Sequence, residues 1–122
     1  GGRSRANLDV ARADVASASA IYQRTVLSAI ADVEAAASAR ASAERRARDL
    51  TEAETLLSNS LVSLQLAQSQ GAASLSDVLD VDRRLQESRD TLVVAQADKL
   101  LASIALVQAL GGGASDGYKQ TK

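Results

Sequence analysis

Gln70-Gly71-Ala72-Ala73-Ser74-Leu75-Ser76-Asp77-Val78-Leu79-Asp80 is the stretch that decides the fold. Its Gly71 is the only glycine between the two ends of the chain, and there is no proline anywhere. Gly suits the left-handed conformation that closes many helices. Ser74 followed by Asp77 has the spacing of a capping box, with Asp in the place Glu usually takes. The stretch therefore reads as one helix ending, a tip over residues 71–74, and a second helix starting.

Upstream, apolar residues recur in steps of three and four. Leu8, Ala11, Val15, Ala18, Tyr22, Val26, Ile30 and Val33 form one stripe on a helix face. It thins to Ala and Ser over residues 35–43 and resumes at Ala47, Leu50, Leu57, Leu61, Leu64 and Leu66. Ser4 is the N-cap candidate, so residues 1–5 are expected as a loop and residues 6–70 as a long helix. Downstream, Val78, Val81, Leu85, Leu92, Ala95, Leu100, Ile104 and Val107 give a return helix over residues 75–110. Gly111-Gly112-Gly113 is expected to stop it, leaving 111–122 as a flexible tail. Glu44 with Arg48, Arg45 with Asp49, Asp80 with Arg84 and Arg83 with Glu87 have i, i+4 spacing on the polar faces.

The fold class is all-α: a long antiparallel helical hairpin of coiled-coil type. The return helix covers only the C-terminal half of the first. For the isolated chain the alternative is a bend near residues 35–43 into a three-helix bundle, or self-association.

Composition narrows the function. The chain has 122 residues, a net charge of −1, two Tyr and no Phe or Trp. Neither a basic excess nor an aromatic platform recommends nucleic acid. There is no Cys and no His, so the usual activated nucleophiles, general bases and transition-metal ligands are missing. No catalytic residue, metal ligand or cofactor site is expected. Gly111-Gly112-Gly113 lacks the Lys of a phosphate loop, and the acids at 77, 80 and 82 lack calcium-loop spacing. Uninterrupted apolar runs are much shorter than the roughly 20 residues of a membrane-spanning helix. No signal peptide opens the sequence; for an exported protein, that segment is expected upstream.

Three stretches together resemble the outer membrane efflux proteins, the TolC-like family. Gly2-Arg3-Ser4-Arg5-Ala6-Asn7-Leu8 with Ala11, Tyr22-Gln23-Arg24-Thr25-Val26-Leu27-Ser28-Ala29 and Asp32-Val33-Glu34 looks like the start of that family's second long helix. Residues 71–80, with Arg84 and Leu85, look like its periplasmic tip and return. Ile104-Ala105-Leu106-Val107-Gln108-Ala109-Leu110-Gly111-Gly112-Gly113 resembles its C-terminal signature. The resemblance covers residues 2–113, about a third of a usual protomer.

It implies the periplasmic part of a trimeric channel-tunnel in the outer membrane of a Gram-negative bacterium. Implied partners are two further copies of the protomer, the missing β-barrel segments of its own protomer and a periplasmic adaptor (membrane fusion) protein. Gly71, Ala72, Ala73 and Ser74 would be the adaptor-docking tip, and Asp77 and Asp80 would ring the entrance as a pore gate. Gln68, Ala73, Val107 and Ala114 depart from the Tyr, Arg, Tyr and Trp frequent at the matching family positions. A latch built from Tyr and Arg is therefore not implied. The alternative function is a stand-alone helical-bundle interaction or scaffold protein without a transport role.

Overall fold

The computed structural model describes the backbone of residues 1–119 and the side chains of residues 1–112. Helix α1 spans Gly2–Ser69 and helix α2 spans Leu75–Lys119. They fold against each other as an all-α hairpin. At 1.5 Å per residue, the 68 residues of α1 extend for roughly 100 Å.

The seam is a heptad pattern mirrored about Gly71. Outward from the tip come Leu64 and Val78, Leu61 and Val81, Leu57 and Leu85, then Glu54 and Ser88. Leu50 and Leu92, then Ala47 and Ala95, continue it, and every one of these residues is buried or half-buried. Steps of three and four held over this length are the signature of a left-handed coiled coil. Leu85 and Ala95 are the most enclosed, at 2% and 1% exposure. Burying a leucine this fully stabilises the hairpin by about 2–3 kcal/mol. Farther from the tip the seam narrows to Ala43, Ala36, Ala102 and Ala109 with Val33 and Leu106, while Arg40 and Lys99 stay exposed.

Several expectations change. The helix starts at Gly2, with Gly1 as an N-cap that makes no side-chain bond. The expected loop over 1–5 and the Ser4 cap are therefore absent. Arg5 N–H donates to the Gly1 carbonyl at 3.4 Å, and nothing among residues 2–5 interrupts the helix. The chain does not break at 35–43, so there is no three-helix bundle. Ala is the strongest helix former, and its small side chain lets α2 pack against this stretch.

At the other end, α2 continues through the three glycines. Glycine costs a helix about 1 kcal/mol per residue relative to Ala, but it does not forbid one. Neither Gly111 nor Gly112 has the positive φ that would end the helix. The expected tail over 111–122 is thus helical in backbone to Lys119, and residues 120–122 lie outside the described residues.

The apolar stripes also divide differently. Leu66, Leu100, Ile104 and Val107 face away from the seam at 60%, 63%, 45% and 68% exposure. Lys99 occupies the seam step after Ala95, and the apolar run slips past it onto an outer face. Of residues 1–28 only Ala20 is even half-buried; Leu8, Val15, Ile21, Tyr22 and Leu27 are exposed. Despite the short apolar runs, α2 over Leu75–Gly112 is long and apolar enough, by length and composition, to cross a membrane.

Candidate functional site

The tip is built by two interlocking caps. Gly71 has φ +77°, the only positive φ among the described residues. Its N–H donates to the Gln68 carbonyl at 3.0 Å, and Ala72 N–H donates to the Ala67 carbonyl at 2.8 Å. These are the two bonds of a Schellman motif, which satisfy the last carbonyls of α1. A Cβ on residue 71 would meet nothing within 4 Å, so conformation alone requires glycine there.

Three residues later the second cap begins. Asp77 N–H donates to Ser74 Oγ at 3.1 Å, and Ser74 N–H donates to Asp77 Oδ2 at 3.1 Å. This is a reciprocal capping box with Asp as its acid. Val78 N–H donates to the Ser74 carbonyl at 3.3 Å and opens α2. The Ser74 side chain, and then its backbone N–H, holds the Asp77 carboxyl below the usual carboxylate range.

Between the caps, Gly71, Ala72 and Ser74 are exposed and Ala73 is half-buried. The tip thus presents small side chains and exposed backbone. Asp77 and Asp80 are both exposed and lie one turn apart on the same helix. The expected Asp80–Arg84 pair does not form; Asp80 Oδ1 lies 3.8 Å from Arg83 Nη2 instead. Likewise Glu44 pairs with Arg40 at 3.1 Å rather than with Arg48. No ion pair joins Arg45 to Asp49 or Arg83 to Glu87; Arg45 Nη2 donates to Ser42 Oγ at 3.1 Å. Surface pairs of this kind are interchangeable because each is worth only a few tenths of a kcal/mol.

Two features escape a reading of the sequence. Arg89 Nε donates to Glu54 Oε1 at 3.0 Å, across the seam and 35 residues away. The available signal was Glu54 itself, which sits on the leucine stripe between Leu50 and Leu57. The second is an open apolar groove of about 340 Å³ lined by Val26, Ala29, Ile30, Val33, Ala109 and Leu110, with Glu34 at its edge. Among the described residues no group of His, Cys, Asp or Glu is arranged to hold a metal ion.

Comparison with known proteins addresses the whole hairpin. A family model described as outer membrane efflux protein matches residues 1–112. The chain is 36% identical over 115 residues to the pyoverdine export outer membrane protein OpmQ of Pseudomonas putida, covering 92% of this chain and 24% of that protein. It is 32% identical, with the same coverage, to the solvent efflux pump outer membrane protein SrpC of the same species. The same figures hold for the toluene efflux pump outer membrane protein TtgI, also of Pseudomonas putida. The chain thus spans about a quarter of the length of these relatives. No solved structure matches it. The family match runs through both helices and the doubly capped tip, and the chain belongs to the outer membrane efflux protein family.

Proposed function

We propose that this hairpin is a wall segment of the periplasmic helical tunnel of a trimeric outer membrane efflux channel. Its tip over residues 71–74 docks end-on against a periplasmic adaptor protein. Asp77 and Asp80, one turn inside the tip, form the entrance gate. Its role is structural and transport-related, without catalysis. The observation that carries this reading is the tip itself, in a chain of this family. Small residues closed by a Schellman turn leave backbone open to close approach. Two exposed carboxylates follow within two turns. Three copies around an axis would bring six carboxylates together, a ring that attracts cations and resists anions.

The test uses the full-length channel that carries this segment. Ala72→Cys is expected to cross-link to the adaptor through a short thiol-reactive linker, whereas Val62→Cys, well up α1, is not. Asp77→Ala with Asp80→Ala is expected to weaken block by multivalent cations in single-channel recordings. Equal cross-linking at 62 and 72 would remove the docking assignment. Unchanged cation block and selectivity would remove the gate.

A further inference from the structure

The Glu54–Arg89 bond stands apart from the other polar contacts. Among residues up to Leu110 it is the one side-chain hydrogen bond or ion pair that joins the two helices. Glu54 occupies a seam position, and its side chain is 22% exposed. The layers on either side of it are Leu57 with Leu85 and Leu50 with Leu92. Its own layer partner, Ser88, is small and half-buried. Arg89, the next residue, lies at the edge of the seam with its side chain 48% exposed.

The position of the pair matters because α2 changes character there. Toward the tip, α2 is amphipathic: Val78, Val81 and Leu85 face the seam, and Asp80, Arg83, Arg84 and Glu87 face outward. Beyond Leu92 it is apolar on several faces. A helix turned by one residue would offer Val93, Leu100, Val107 and Leu110 to α1, with Gln96 and Ser103 between them, in place of Leu92, Ala95, Lys99, Ala102, Leu106 and Ala109. The turned face exchanges Lys99 for Leu100 and Ala109 for Leu110 but takes Gln96 for Ala95, so apolar content alone does not single out one rotation in this half.

We infer that Glu54 and Arg89 are positioning residues that set the rotation of α2 about its axis, and so decide which apolar face is left outside the hairpin. Turning α2 to bring Val93 inward carries Arg89 from the edge into the leucine-lined seam. Both charges are then desolvated, which is expensive even for a bonded pair. Turning it the other way pulls the guanidinium off the carboxylate and leaves a half-buried acid unpaired. Either rotation is opposed. A polar residue in an apolar seam is an established means of choosing one helix arrangement over its rivals, at some cost in stability. This role does not depend on the transport reading. Within that reading, it selects the surface that meets the rest of the tunnel wall.

The chain contains no cysteine, so single introduced thiols report without background. Ala95→Cys sits at a 1% exposed position and Val93→Cys at a 65% exposed one. In the parent chain, a water-soluble maleimide is expected to label residue 93 at least about tenfold faster than residue 95, because labelling at 95 requires local opening. In the Glu54→Leu, Arg89→Leu background the apolar seam is kept intact and the hairpin stays folded, yet this ratio is expected to collapse to about threefold or less. The exchanged pair Glu54→Arg, Arg89→Glu is expected to restore it. Circular dichroism on each variant establishes that helix content is retained. A ratio that stays above tenfold in the double leucine variant overturns the proposal, and so does a collapsed ratio that the exchanged pair fails to restore.

Discussion

Replacing Gly71 isolates the contribution of one backbone angle. Its φ of +77° lies where a Cβ is disfavoured, yet a Cβ there would meet no atom within 4 Å beyond its own and the two flanking residues. Contacts with the rest of the chain therefore add nothing, and only the local conformational cost remains. For an L-residue in the left-handed region that term is roughly 1–2 kcal/mol. Alanine recovers part of it, because it restricts the unfolded chain by about 0.4–1 kcal/mol more than glycine does. Gly71→Ala is thus expected to cost about 1 kcal/mol, or about 4 °C in Tm for a chain of this length. Gly71→Asn is expected to cost less, since Asn tolerates this region, and Gly71→Val more, since a β-branched residue there is a genuine outlier. Urea and thermal unfolding followed by far-ultraviolet circular dichroism measure all three. Runs at several protein concentrations separate folding from self-association. A neutral Ala variant would refute the argument by showing that the two Schellman bonds do not hold φ in place. A loss above about 3 kcal/mol would refute it in the other direction, because it would require a steric contact the structure lacks.

The capping box yields two further expectations. Ser74→Ala removes the hydroxyl that accepts from Asp77 N–H and is expected to cost about 1 kcal/mol, read in the same unfolding assay. Asp77 is held below its ordinary pKa in the folded chain, so its contribution is fully present above the unfolded value of about 3.9 and is lost as pH falls through the folded one. Stability measured from pH 6 downward is therefore expected to fall less steeply below about pH 4 in Asp77→Asn than in the parent. Packing supplies a contrast between two leucines of α2: Leu85→Ala, at 2% exposure, is expected to cost about 2–4 kcal/mol, and Leu79→Ala, at 58%, less than about 1.

What the sequence disclosed and what it hid follow from the range of the interactions. The tip was legible because its determinants are local. Gly71, Ser74 and Asp77 lie within seven residues and satisfy one another. The leucine seam from Leu50 to Leu64 was legible for the same reason, since helical spacing carries it. Beyond Ala95 the pattern failed, because Lys99 takes a seam step and Leu100 beside it offers a better apolar match. Helix ends were misplaced where the usual markers did not act: Ser4 caps nothing, and three glycines do not stop α2. The Glu54–Arg89 bond lies between residues 35 apart, and Glu54 on the leucine stripe marks only one of its two ends. Exposure of the tip residues is a property of the hairpin, whereas the docking and gating proposed for them would depend on contacts with other chains.

The amount of surface bears on those contacts. The chain exposes 9373 Å². A compact protein of 12.6 kDa would expose about 6,200 Å², so this hairpin shows about half as much again. Much of the excess is apolar and lies on the outer faces of α2 and the first third of α1. Lipid is a poor match for it, even though α2 is long and apolar enough to span a bilayer. The mirror register lays residues 92–110 of α2 alongside residues 32–50 of α1. That stretch of α1 carries Asp32, Glu34, Arg40, Glu44, Arg45, Arg46, Arg48 and Asp49. Placing even one such charge at the centre of a bilayer costs about 2.5–3.5 kcal/mol on insertion scales, and here eight would enter with the apolar helix. Water is equally unsuited to Leu100, Leu101, Ile104 and Val107. A surface apolar along one helix and charged along its neighbour is matched by other helices of the same mixed kind. The proposed tunnel wall would supply that environment, with each hairpin packed between others and its charges at the water-facing edges.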